Sequence, residues 1–219
     1  MPEEKNGGDT ATVKPRRRQA RGERRIAQLL EAAATVFCTT GYTAASTSSI
    51  AREAGVSPGT LYQFFPNKEA IAVELGDRLL KQWHTTYGEA LTPAHIALPL
   101  EELLDAVLDP LIRFSLDNPA FGALMHGSDV PGHIAREHDV LHSTSLARVE
   151  EIIATYCPDM PRADATRTAR TAFTIYKGGL DLILAAEPDE REAYIAELKT
   201  VLYRYLRPTF TDPETGDAE

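Results

Sequence analysis

Two histidines one helical turn apart, His138 and His142, are the nearest approach to a metal-ligating pair in this sequence of 219 residues. An i,i+4 spacing puts both imidazoles on one helix face, but a zinc ion would need a third ligand. Asp139 and His126 supply the right residue types with no fixed spacing to the pair. The two rings therefore read equally as polar groups in a pocket or as histidines satisfied by internal partners. No Gly-rich phosphate loop, cysteine cluster or HExxH segment occurs. Ser, His and Asp are present without a nucleophile motif around them, so no catalytic residue, metal site or cofactor is assigned. The same part of the chain carries Trp83, Tyr87, Phe114, Phe121, Met125, Phe173 and Tyr176. With His126, His138 and His142, these are the residue types that line an apolar cavity for a small molecule. A plain helical core would use the same aromatic residues.

A second set of residues suits DNA. Ser57, Pro58, Gly59, Thr60 and Gln63 crowd the start and outer side of a short helix in the stretch from Ser46 to Lys68. Gly59 lets backbone approach closely, Thr60 can meet a thymine methyl, and Gln63 can pair with adenine. Thr47, Ser48, Tyr62 and Lys68 are the groups available for phosphates. The elements that must hold them follow from local signals. Ser46 or Thr47 can N-cap a first helix, and Ile50, Ala51 and Ala54 give it a small apolar face. Gly55 stands where a helix end wants a left-handed residue. Ser57 can cap a second helix with Pro58 at its first position, and Leu61 and Phe65 point it inward. Pro66 stops that helix and Asn67 caps the next. This is a helix-turn-helix, whose second helix can enter a major groove.

These residues resemble the DNA-binding domain of TetR-family transcriptional regulators. The likeness rests on Ile50-Ala51, Ala54-Gly55-Val56-Ser57, Gly59-Thr60-Leu61-Tyr62 and Phe65-Pro66-Asn67-Lys68-Glu69, with Ala32-Ala33, Phe37 and Gly41-Tyr42 before them. It covers about residues 21–70. The resemblance implies phosphate contacts above all for Tyr62 and Lys68. It also implies a homodimer joined by the last two helices, and a fourth helix whose tilt couples a ligand pocket to DNA.

The net charge of −9 hides an asymmetry. Residues 1–68 carry a balance of +4 and the remainder −13, which points the N-terminal part at a polyanion. Arg16, Arg17, Arg18, Arg21, Arg24 and Arg25 form a dense run that is either a solvated charge cluster or an arm for phosphates and the minor groove. Two cysteines make no disulfide framework, and Cys38, after Phe37, is expected to pack. There is no apolar run of transmembrane length and no apolar core in the polar, basic N-terminus. A cytoplasmic protein with no membrane partner is expected.

The expected architecture is all-α. A disordered basic arm (1–19) precedes a three-helix helix-turn-helix domain (20–68). A helical regulatory and dimerisation domain follows (69–210), then a disordered tail (211–219). The first helix should span about 20–39 and end at Gly41. The fourth should start at Lys68. Residues 91–99 read as loop, and the helix over 100–116 should kink or split at Pro110. Further helices are expected over 119–127, 133–156, 162–186 and 189–206. The stretch from Ala172 to Ala186 is apolar on more than one face, so it needs burial on two sides. Phe173, Leu180, Ile183, Ile195, Leu198 and Leu202 are the expected interface residues. The function expected is a ligand-responsive regulator, a repressor released from a near-palindromic double-stranded DNA operator by a small, largely apolar effector. The alternatives are a DNA-binding regulator controlled by a protein partner, and an enzyme in the C-terminal domain.

Overall fold

The computed structural model describes residues 14–125 and 131–210, without the side chains of residues 14–18, Pro93, Ile96, His133 and His138. Every element among them is a helix: α1 (Lys14–Ala44), α2 (Thr47–Glu53), α3 (Pro58–Tyr62), α4 (Lys68–Ala90), α5 (Pro93–Ile96), α6 (Leu100–Asp117), α7 (Pro119–Met125), α8 (Gly132–Tyr156), α9 (Arg162–Ala185) and α10 (Arg191–Phe210). The backbone of Arg16–Arg18 thus belongs to α1, which starts six residues before the expected boundary. The expected tail over 211–219 lies outside the described residues. The helical path of α1 breaks at Gly41, whose φ of 76° is open to glycine at little cost.

The chain divides into two compact units between Leu75 and Gly76, inside α4. In the first unit, the apolar stripe of α1 buries Leu29, Leu30, Ala33, Val36 and Phe37. Cys38, just off that stripe, is exposed. Ile50, Ala51, Ala54, Leu61, Phe65, Ile71 and Ala72 are buried as well. Gln28 Nε2 donates to the Ala54 carbonyl at 2.6 Å, tying α1 to the end of α2.

The second unit is built around α6, α9 and α10. Leu104, Leu108, Ile112, Ala172, Ile183, Leu198, Leu202 and Leu206 form one core. Pro110 lies inside α6, which continues unbroken past it. Its ring removes one backbone donor, and the apolar residues on either side (Leu108, Leu111, Ile112) remain buried. The short helix α5 occupies part of the stretch expected as loop. Gly179 marks a close approach of α9 to α10, because a Cβ there would sit 2.5 Å from Leu198 Cδ1. Lys199 Nζ bridges Asp105 at 2.8 Å and Asp109 at 2.6 Å, linking α10 to α6.

Candidate nucleic-acid interface and internal cavity

The turn between α2 and α3 is set by caps at both ends. Ser46 accepts from the Ser49 backbone N–H while Ser49 Oγ accepts from the Ser46 N–H, both at 3.0 Å, a reciprocal capping box. At the other end Gly55 takes φ 63°. The Val56 N–H then reaches the Ala51 carbonyl at 2.9 Å, and the Gly55 N–H reaches Arg52 at 3.1 Å. That pair of bonds is a Schellman ending, which satisfies carbonyls the helix would otherwise leave open. Ser57 Oγ then caps α3 through the Thr60 N–H at 3.1 Å, with Pro58 in the first turn. Asn67 Oδ1 caps α4 through the Ala70 N–H at 2.8 Å.

These caps fix which residues face out. Leu61 and Phe65 are buried, whereas Ser57, Pro58, Gly59 and Gln63 are exposed and Thr60 is half-buried. Tyr62 is 54% exposed, unusual for a large ring, and its hydroxyl shares a 2.9 Å hydrogen bond with Thr47 Oγ1. That bond sets a polar pair from the start of α2 and the end of α3 on one surface, with Ser48 exposed beside Thr47. Lys68, half-buried at the start of α4, is engaged within the fold. Its ammonium donates to the carbonyls of Tyr42 at 2.7 Å and Thr43 at 3.1 Å, and lies 4.4 Å from the Tyr42 ring centroid. The side chains of Arg16, Arg17 and Arg18 lie outside the described residues.

The second unit encloses a cavity of about 500 Å³. Its wall takes Trp83 and Tyr87 from α4, Leu103, Leu104, Val107, Leu111 and Ser115 from α6, and Phe121 and Met125 from α7. Leu141, His142 and Ser145 of α8, Phe173 and Tyr176 of α9, and Leu202 and Leu206 of α10 complete it. Trp83 stacks on Tyr87 at 5.8 Å and on Phe121 at 5.5 Å. His142 meets the Phe173 ring edge-on at 4.9 Å. The Tyr87 hydroxyl donates to the Ser145 carbonyl at 3.0 Å, and burial, ahead of every other influence, pushes it up to about 12.

Residues 98–210 match the tetracyclin repressor-like, C-terminal domain family, and residues 29–75 match the bacterial regulatory proteins of the tetR family. The chain belongs to the TetR family of transcriptional regulators. It is similar to the uncharacterized HTH-type transcriptional regulator YhgD of Bacillus subtilis (strain 168), 36% identical over 86 residues, or 39% of this chain and 44% of that one. It is also similar to the fatty acid metabolism regulator protein of the same organism, 44% identical over 48 residues, 22% of this chain and 25% of that one. The chain therefore spans less than half the length of either curated relative. Among solved structures, its fold is similar to that of a TetR-like transcriptional regulator from Rhodococcus sp. RHA1, with a TM-score of 0.68 at 18% identity. That match covers 84% of this chain and 96% of the other.

Within this TetR-family fold, several sequence-based site assignments change. Trp83, Tyr87, Phe121, Met125, His142, Phe173 and Tyr176 line the cavity as a group. Phe114 is not on its wall but packs behind it, edge-on to Trp83 at 5.5 Å and to Phe121 at 5.3 Å. His126 and the side chain of His138 lie outside the described residues. The many leucines of the wall, and Ser115 and Ser145, carry no sequence signal of their own, because nothing in their spacing separates cavity from core. The expected interface set is corrected more heavily. Ile183, Leu198 and Leu202 are 0%, 5% and 3% exposed within the single chain and belong to its own core, so they have no surface left for a second copy. Phe173 and Leu180 face the cavity. Ile195 is half-buried against the same core. The large apolar side chains left exposed on α9 and α10 are Leu182, Leu184, Tyr194 and Val201.

Proposed function

We propose that this regulator is a repressor that binds a near-palindromic double-stranded DNA operator as a homodimer and leaves it when an effector fills the cavity. The observation that carries the ligand half of this reading is the cavity itself. A regulator controlled only through a protein partner has no need of about 500 Å³ lined by leucines and aromatic rings. The DNA half is supported by the exposed face of α3 and the Thr47–Tyr62 hydroxyl pair. In this reading Ser57, Pro58, Gly59, Thr60 and Gln63 address base edges, and Thr47, Ser48 and Tyr62 address phosphates. Arg16, Arg17 and Arg18, in the first turns of α1, supply a basic arm for phosphates. Leu182, Tyr194 and Val201 form the apolar part of the dimer contact, and two-fold symmetry then presents two copies of α3 to two half-sites.

The switch is a shift of populations. An effector that binds more tightly to the DNA-incompetent form lowers operator affinity by that difference, and about 1–3 kcal/mol gives roughly 5–150-fold release. The lever is α4, a single helix with Lys68 in its first turn and Trp83 in the cavity wall. The test is selection of bound DNA from a random pool, followed by a search for compounds that release the selected sequence. Enrichment of a near-palindrome, and release that changes in Phe173→Ala, is the expected result. Release unaltered by substitutions at Phe173, His142 and Tyr176 would sink the cavity assignment.

A further inference from the structure

The cavity wall is predominantly apolar, and two of its residues carry a fixed charge. Lys177 and Asp181 both line it, one turn apart on α9. Lys177 is half-buried and Asp181 is exposed. Among the described residues, neither side chain forms an ion pair, with the other or with a third group. Their order along the helix accounts for this. Long side chains on a helix lean towards its N-terminus, and a lysine four residues before an acid is the weaker arrangement for a pair. A second half-buried lysine in the same unit makes the contrast. Lys199 is held by two carboxylates, Asp105 and Asp109. Lys177, in the cavity wall, is held by none. An ammonium is strongly hydrated, so partial burial without a partner costs free energy. What this wall lacks is an anion.

The rest of the wall describes the body of that anion. On α9 the wall runs from Phe173 to Leu184, about 16 Å at 1.5 Å per residue. Along that run Phe173, Lys177 and Leu180 are half-buried, whereas Asp181 and Leu184 are exposed. Lys177 thus stands near the point where the covered wall gives way to its open end. A lysine suits that place, because its methylene stem can lie along apolar surface while its ammonium stays near water. A neutral hydrocarbon would fill the leucine-lined part and leave the ammonium unpaired. A small hydrophilic anion would pair with the ammonium and leave the apolar wall uncovered. A cation would be repelled by Lys177, and the exposed Asp181 carboxylate, screened by solvent, offers it little in return. We infer that the cavity takes a single-chain anionic amphiphile, with its hydrocarbon body among the leucines and aromatic rings and its anionic head on Lys177. This rests on the reading of the cavity as the effector site.

Decanoate, decan-1-ol and decyltrimethylammonium share one chain and differ in the charge of the head. Each is titrated into the full-length protein, with binding followed by calorimetry and by the emission of Trp83, the single tryptophan. Operator affinity is measured separately. Decanoate is expected to bind about 10-fold more tightly than decan-1-ol, and decyltrimethylammonium more weakly than either. Lys177→Met keeps an apolar stem and removes the charge. It should cost decanoate roughly 10-fold and leave decan-1-ol unchanged, which separates a lost head contact from a collapsed cavity. Lys177→Arg should restore decanoate, and Asp181→Asn should bind it at least as tightly as the parent. Decanoate that fails to bind, decanoate no tighter than decan-1-ol, tighter binding of the cation, or an equal loss for decanoate and decan-1-ol in Lys177→Met overturns the inference. So does a decanoate preference that survives Lys177→Met intact. The proposed function fails by a different result. Decanoate that binds with the stated preference yet leaves operator affinity unmoved would uphold the cavity's chemistry and remove its role as the switch.

Discussion

Lys68 is held inside the fold as well as standing among the residues expected to meet phosphate. An ammonium held by two carbonyls and a ring face is a clamp on the Tyr42–Thr43 backbone. Lys68→Ala should lower stability by about 1–3 kcal/mol and weaken operator binding on all sequences alike. If the clamp is its whole role, the log–log salt slope of DNA binding stays the same; a slope shallower by about 1 would place Lys68 on a phosphate as well. Tyr87 allows a test in pH. Its pKa is raised from 10.0 in the unfolded chain to about 12 in the fold, so the neutral form is the one folding favours. Its contribution is complete below pH 10 and is lost as pH rises from 10 to about 12, with Tyr176 shifted in the same direction. Urea midpoints should therefore fall across that window, and less so in Tyr87→Phe. At this scale the caps were legible from sequence. Ser46, Gly55, Ser57 and Asn67 act on backbone groups within a few residues of themselves. The engagement of Lys68 with Tyr42 was not legible, because it joins residues 26 positions apart.

Among the elements, α9 and α10 test the packing argument. Gly178 and Gly179 are neighbours in sequence but not in surroundings: a Cβ at Gly178 meets nothing within 4 Å, whereas one at Gly179 meets three atoms of Leu198. Gly178→Ala should gain up to about 1 kcal/mol of helix propensity. Gly179→Ala gains the same but overpacks a buried contact, at a cost of about 1–3 kcal/mol. Urea unfolding should thus rank Gly178→Ala the more stable by about 1–3 kcal/mol; equal values would mean that Leu198 moves aside freely. Leu198→Asp is expected to unfold the second unit, because it buries a charge in the core. Val201→Asp, on an exposed site, should leave the helix content intact and yield monomers on sedimentation. The burial of Ile183, Leu198 and Leu202 within the single chain has the same origin. Periodicity established that α9 is apolar on more than one side, but it does not say which side meets α10, which the cavity and which a second copy.

At the scale of the whole chain, the charge asymmetry places the electrostatics of DNA binding in the N-terminal part. Deleting residues 1–18 removes Arg16, Arg17 and Arg18, and the salt slope should become shallower by about 2–3. An unchanged slope would leave those arginines to solvent. The all-α class and the order of long helices followed from apolar periodicity, whereas the extent of α1 did not, since its first turns carry no apolar stripe. The side-chain ties that close the two units differ in reach. In the first unit they join residues 15 to 26 positions apart, as in Thr47–Tyr62 and Gln28–Ala54. In the second they span 52 to 94, from Tyr87 to Ser145, from Tyr156 back to Leu98, from Cys157 to Thr209 and from Lys199 back to Asp105. Closing long loops is slow, and a chain leaves the ribosome N-terminus first. The helix-turn-helix can therefore fold while the residues that complete the cavity are still being translated, and on the proposed reading each newly made molecule passes through an interval in which it has a reading head and no means of being switched off.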